Sequence, residues 1–190
     1  NDGSTYFTSW GGGSLDLSHP QVQTYIRNLA QLISRDWGYG LFKLDGLWTG
    51  LANAQLYVHN PYQPDDLGQH LVHDPSLTPF QAYRAGFRAL REGAGTDVFI
   101  LGCNVSQNMR SFAAAIGMVD AMRIGPDNGP GWQALKLGPW HGTNRWFLHR
   151  RIWYNDPDPL YVRADMPIEH ARVITSWVAL TGTLHASSEW

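Results

Sequence analysis

Phe42-Lys43-Leu44-Asp45-Gly46 closes a short apolar run that starts at Tyr39, and it sets a lysine and a carboxylate two residues apart. In a strand, residues two apart share a face, so Lys43 and Asp45 are expected to project together while Phe42 and Leu44 point the other way. A cation beside an acid at the carboxyl end of a strand is how an α/β barrel presents a nucleophile. The competing reading is an aspartate that merely caps the turn after the strand. This stretch taken alone does not separate the two.

The elements around it alternate. Before it, Leu17-Ser18-His19-Pro20 starts a helix with Ser18 or His19 near the cap, Val22, Ile26, Leu29, Leu32 and Ile33 recur at helical spacing, and Gly38 stops it. After it, Gly46 to Thr78 is a long segment rich in Pro, Asn, Asp and His; a connection of that length is usually functional or carries small elements of its own. A helix over about Pro79 to Gly93 follows, then a strand over Val98 to Leu101, a short helix within Ser106 to Gly117, and a strand over Val119 to Ile124. From Trp132 to His149 a helical region interrupted at Gly138-Pro139 leads to Ile152-Trp153-Tyr154. A turn with Pro157 and Pro159, a helix over Ile168 to Leu180 and a final strand over Leu184 to Ser187 complete the series.

Alternation of strand and helix predicts a parallel sheet with right-handed crossovers. An open doubly wound sheet and a closed (β/α)8 TIM barrel both fit that pattern. No Gly-x-Gly-x-x-Gly turn links a strand to a helix, which argues against a dinucleotide site. Nearly every candidate strand instead ends in a polar or special residue: Asp45, Cys103-Asn104, Arg123, Asn155-Asp156. A ring of such side chains at successive strand ends matches the active face of a barrel, and the α/β barrel is the favoured fold.

A chain of 190 residues, 43% hydrophobic and 16% charged, suits a single domain with a real core. It opens Asn1-Asp2-Gly3 without an initiator methionine, so its ends read as cut, and no apolar run is long enough to span a bilayer. Localisation is left open, with a secreted or periplasmic setting the leaning. A net charge of −2 with scattered basic residues argues against a nucleic-acid partner. The one cysteine, Cys103, excludes an internal disulfide and a Cys-based zinc site, and reads on its own as a small core residue. Nine tryptophans, eight tyrosines and seven phenylalanines exceed what a core of this size needs, and aromatics on loops are candidates for stacking on a ligand.

Lys43-Leu44-Asp45-Gly46, Cys103, Arg123-Ile124-Gly125-Pro126-Asp127 and Asn155-Asp156-Pro157-Asp158, in that order, resemble the α-galactosidases and α-N-acetylgalactosaminidases of glycoside hydrolase families 27 and 36. Leu15-Asp16-Leu17-Ser18-His19-Pro20 resembles the lead-in of the family 36 enzymes. The likeness spans almost the whole chain. It implies a partial catalytic barrel running from around the third strand to about the eighth, with the first strands missing, and a retaining hydrolase that cleaves terminal α-galactosides of glycosides or oligosaccharides. It implies no cofactor, no metal and no membrane partner, and leaves room for a homo-oligomer of the parent protein.

The resemblance assigns roles by position. Asp45 falls on the nucleophile and Asp127 on the acid/base. Retention requires two carboxyl groups about 5–5.5 Å apart, one attacking the anomeric carbon and one protonating the leaving oxygen. Lys43 is expected to keep Asp45 charged and to contact sugar hydroxyls, while Asp127 must hold a proton when substrate arrives and later act as base. Arg123 resembles the arginine that contacts the hydroxyl next to the anomeric carbon; a local salt bridge to Asp127 across the Gly-Pro turn is its alternative. Cys103 and Asn104 match the strand end that reads the substituent on the second carbon, although the Cys-Glu-Trp-Pro of family 27 is absent, which opens the choice between hydroxyl and N-acetyl. Asn104-Val105-Ser106 is formally a glycosylation sequon, read as coincidence.

Further positions complete the candidate site. Trp48 follows the nucleophile and Trp132 the acid/base, so both are expected to pack against the sugar; Trp10, Trp140 and Trp153 are weaker candidates. Asp158, with Asp156, either binds substrate or shapes an Asx turn before proline, the structural role being preferred. His70, His73 and Asp74 read as solvated or hydrogen-bonded rather than metal ligands. Two rival readings stand beside the α-galactosidase: a family 31-like α-glucosidase or α-xylosidase, which Asp127-Asn128 faintly resembles, and a non-catalytic carbohydrate-binding barrel.

Overall fold

The computed structural model describes residues 12–51, 72–103 and 113–184. The final strand expected over Leu184 to Ser187 and most of the helix expected within Ser106 to Gly117 lie outside these residues, as do Trp10, His70 and Asn104 and the side chain of Trp48.

Four short strands form one parallel sheet: β1 (Leu41–Leu44), β2 (Phe99–Gly102), β3 (Ala121–Arg123) and β4 (Tyr154–Asp156). They stand side by side in chain order, β1-β2-β3-β4. A doubly wound sheet reverses its order at a switch point, and no such reversal occurs among these strands. The expected strand Tyr39 to Asp45 narrows to its central four residues, because only those meet β2 in register, from Leu41 opposite Phe99 to Leu44 opposite Gly102. The β4 pairing falls later than Ile152-Trp153 suggests: Tyr154, Asn155 and Asp156 oppose Ala121, Met122 and Arg123.

Helices α1 (Pro20–Gln31), α2 (Pro79–Ala94), α3 (Trp132–Leu135), α4 (Leu137–Thr143) and α5 (Ile168–Thr181) fill the connections. The α1 cap is His19, whose Nδ1 accepts from the Gln21 amide at 3.2 Å, and the helix widens into a π turn over Leu32–Asp36 before Gly38. Helix α2 opens on a capping box: the Thr78 hydroxyl accepts from the Gln81 amide at 3.3 Å, and the Thr78 amide donates to Gln81 Oε1 at 2.8 Å. Between Trp132 and Thr143 the break falls at Lys136 rather than at Gly138-Pro139, since proline is tolerated in the first turn of α4. None of the described helices is long and apolar enough to cross a membrane.

The alternation of each strand assigns the two faces of the sheet. Phe42, Ile100 and Met122 point into the main core with Ala30 of α1 and Tyr83, Phe87 and Ala94 of α2. Tyr83 meets Phe87 edge-on, centroids 5.0 Å apart. Helices α1 and α2 cross closely because Gly93 has no side chain: a Cβ there would run into the Arg27 carbonyl oxygen. Leu135, Met166, Ala171 and Ile174 make a smaller core under α5, joined to the first through Trp177. Leu41 and Lys43 of β1, Asp45 just after it and Tyr154 of β4 project from the opposite face and are exposed.

Candidate functional site

Parallel register aligns the ends of the strands. Lys43 stands opposite Leu101, Leu101 opposite Ala121 and Arg123 opposite Asp156. One pleat further along, the same register brings Asp45, Cys103, Arg123 and Asp156 into a row along the carboxyl edge, all on the face away from the main core. Backbone bonds tie the row together: the Cys103 amide donates to the Leu44 carbonyl at 2.7 Å and the Ile124 amide to the Asp156 carbonyl at 2.9 Å.

Arg123 is the centre of this row. Its side chain is only 3% exposed, and its two terminal nitrogens are shared among three partners. Nη2 donates to Asp127 Oδ1 at 2.7 Å, Nη1 to Asp158 Oδ1 at 2.8 Å, and Nη1 also approaches the Cys103 sulfur at 3.6 Å. Nε is buried with no hydrogen-bond partner among the described residues. Burial opposes the arginine's charge, but the Asp158 carboxylate and its other acidic neighbours outweigh that and hold it firmly protonated.

Cys103 joins Arg123 to Asp45. The thiol is buried and hydrogen-bonds the Asp45 carboxylate, while its sulfur accepts from Arg123 Nη1. Burial is the main reason its pKa is pushed up to about 12, with the Asp45 carboxylate adding to the effect and Arg123 and Lys43 opposing it. At neutral pH Cys103 is therefore a thiol that donates to Asp45 and accepts from Arg123. Asp45 itself is exposed, and its Oδ1 also accepts from the Gly46 amide at 2.8 Å. That bond is the turn cap weighed as the alternative reading; the carboxylate makes it and faces the strand-end row as well.

The two carboxylates that Arg123 binds differ sharply. Asp127 is 95% exposed, whereas the Asp158 side chain is 8% exposed. Asp158 Oδ2 accepts from the Asn128 amide at 2.7 Å, its own amide donates to Asp156 Oδ1 at 2.9 Å, and its backbone is held at a φ of 73°. Burial raises the Asp158 pKa above the ordinary aspartate value, more strongly than Arg123 and the Asn128 amide lower it. Both of its oxygens meet protein partners, and its amide closes the Asx turn from Asp156 across Pro157, the structural role preferred from the sequence.

Lys43 shares the face of Asp45 as alternation requires, but no ion pair joins them; the near neighbour of Asp45 is Cys103. The desolvation expected around Asp127 is also missing, and the salt bridge to Arg123 weighed as an alternative is present. Trp132, 45% exposed at the start of α3, lies tilted against the His170 ring with centroids 5.5 Å apart. Trp140 is exposed, while Trp153 is a core residue whose Nε1 donates to Asn155 Oδ1 at 3.1 Å. His73 packs on His19 with centroids 4.3 Å apart, and Asp74 caps its own turn by accepting from Ser76; among the described residues no cluster suited to a metal ion is found.

No protein-family model matches this chain. The residue that sequence reasoning missed is Asn128. Its amide binds Asp158, and its side chain donates to the Pro157 and Pro159 carbonyls at 3.0 and 3.2 Å, locking the loop that bears Asp127 onto the loop after β4. Its one sequence signal is position: an Asn ahead of Gly129-Pro130, where side chain-to-backbone bonds are common.

Proposed function

We propose that this chain is part of the catalytic (β/α)8 barrel of a retaining glycoside hydrolase acting on terminal α-galactosides, with Asp45 as nucleophile and Asp127 as acid/base. The observation that carries the reading is the strand-end row: Asp45, Cys103 and Arg123 in hydrogen-bond sequence along one edge of four parallel strands, with Asp127 on the far nitrogen of the arginine. Parallel strands that neighbour one another in chain order, with helices α1 and α2 packed on one face, match a section of a barrel wall.

In this reading Asp45 attacks the anomeric carbon while Asp127 protonates the departing oxygen, and Asp127 then takes a proton from the water that releases the sugar. Sugar binding turns the exposed Asp127 carboxylate toward the departing oxygen, which leaves Arg123 Nη2, itself unmoved, to meet the hydroxyl beside the anomeric carbon. Cys103, donating to Asp45, orients the attacking carboxylate. Lys43 meets sugar hydroxyls, and Trp132 offers a partly exposed ring at the rim.

The Arg123–Asp127 ion pair also supports a second reading, a sugar-binding barrel without catalysis, because the Asp127 carboxylate is already engaged by the arginine at 2.7 Å. Nitrophenyl α-galactoside, N-acetyl-α-galactosaminide and α-glucoside, offered to the complete protein, separate the cases. Turnover of the galactoside above the others supports the proposal, and preference for either of the others reassigns the substrate. Sugar binding with no turnover of any of the three replaces the hydrolase by the binding barrel.

A further inference from the structure

The row of functional side chains does not hold itself in place. Arg123 ends β3 on a three-residue strand, its Nε has no partner among the described residues, and the carboxylate on its Nη2 is 95% exposed. That pair fixes the arginine weakly, because water competes for the exposed Asp127 carboxylate and that side chain keeps its freedom. Asp158 differs in every respect. It is buried, it meets Nη1 at 2.8 Å, its second oxygen is fixed by the Asn128 amide, and its amide is fixed by Asp156.

The Asp158 backbone carries a further sign of purpose. A φ of 73° is uncommon for a residue with a Cβ and costs free energy, so it persists only where the surroundings impose it. Pro157 before it and the Asx turn from Asp156 impose it here, and the result is to aim a carboxylate back under the β3 strand end. The same carboxylate therefore reaches both ends of the Arg123–Asp127 segment: the guanidinium at one end and the Asn128 amide, directly after Asp127, at the other.

We propose that Asp158 is the positioning residue of the site: it clamps the Arg123 guanidinium and the backbone beside Asp127, and so sets where the Asp127 carboxylate stands. Its relevance to hydrolysis rests on the reading of Asp127 as acid/base; the clamp itself does not. Asp158 makes no contact with sugar. Asp127 takes its position from Arg123 and Asn128, and contributes little to holding either.

The guanidinium's own rotation gives a readout that folding alone would not move. In the complete protein labelled with 15N-arginine, the Nη protons of Arg123, assigned by their loss in Arg123→Lys, report whether rotation about the Nε–Cζ bond is slow. Asp158→Asn keeps the shape and suits the positive φ, since asparagine tolerates that region best of the residues that carry a Cβ. Separate, slowly exchanging Nη signals are expected in the native chain and in Asp127→Asn, and collapsed signals in Asp158→Asn. Signals that persist in Asp158→Asn, vanish in Asp127→Asn, or never separate in the native chain overturn the clamp. Asp127→Asn alters an exposed group, so it keeps the test decisive even if the Asp158 variant fails to fold.

Kinetics on nitrophenyl α-galactoside then tell the clamp from a substrate contact. Asp158→Asn is expected to lower kcat about 100-fold, the scale of a misplaced reacting group, with KM nearly unchanged. A rise in KM with kcat preserved makes Asp158 a sugar ligand and overturns the proposal. If the native protein turns over no glycoside, the hydrolase reading fails while the rotation measurement still decides the clamp.

Discussion

Arg123 and Asp158 form a buried ion pair, Nη1 to Oδ1 at 2.8 Å, while the same guanidinium also holds the exposed carboxylate of Asp127. Removing one partner of a buried pair leaves the other charge uncompensated, at a cost of about 3–5 kcal/mol. Asp158→Ala is therefore expected to lower the urea midpoint sharply, while Asp127→Ala leaves it almost unmoved. Equal effects from the two variants would contradict the difference in burial.

Gly93 lets α1 approach α2, since a Cβ there would meet the Arg27 carbonyl oxygen. That atom is backbone inside a helix and has little room to retreat. Gly93→Ala should destabilise by about 1–3 kcal/mol despite its better helix propensity, through forced separation of the two helices. Urea unfolding with an unchanged slope checks it, and a gain in stability would show that the helices slide apart freely.

Two histidines make the fold sensitive to acid. His149 Nδ1 accepts from the Asn155 amide at 3.0 Å, so it serves the fold in its neutral form; burial first, and Arg150 second, lower its pKa below 6.5. Burial and then Arg145 do the same to His141. The unfolded chain takes up these protons first, so their contribution is present above about pH 6.5 and is lost as pH falls through that value toward the lowered pKa of the folded state. Tm should decline between about pH 7 and about pH 5, less steeply in His149→Asn, and an identical decline in that variant would remove His149 from the cause.

Cys103 is a poor nucleophile in the native state, because its thiol pKa is pushed up to about 12 and its sulfur is buried. A thiol reagent at about pH 8 should label it slowly in the folded protein and at the rate of an ordinary cysteine in urea. Rapid labelling of the folded form would mean that the strand-end row opens readily.

Much of this arrangement is legible in the order of residues. Apolar runs ending at Asp45, Cys103, Arg123 and Asp156 announce four strands, and alternation along Phe42-Lys43-Leu44-Asp45 decides which side chains share a face. The partnerships across that face are not legible, since register between strands depends on how the intervening helices pack. Hence alternation points to Lys43 as the neighbour of Asp45, whereas the side chain bonded to it is Cys103. Asp158 looked like one more acid in an Asn-Asp-Pro-Asp turn; its burial against Arg123 follows from β3 and β4 pairing, which no local pattern encodes. The surplus of aromatics has a simpler outcome in part: Trp37, Trp140 and Trp146 are exposed, and Trp153 is core.

The division of labour between Asp45 and Asp127 is open to a direct trial in the complete protein. Nitrophenyl α-galactoside hydrolysis is measured for Asp45→Asn and Asp127→Asn, each with and without azide. Asp45→Asn should lose turnover of the galactoside, while Asp127→Asn should still release nitrophenol in its first step, stall at the glycosyl-enzyme and be rescued by azide, which attacks without a base. Equal, modest losses in both variants, with no response of Asp127→Asn to azide, would contradict the assignment of nucleophile and acid/base to these two aspartates.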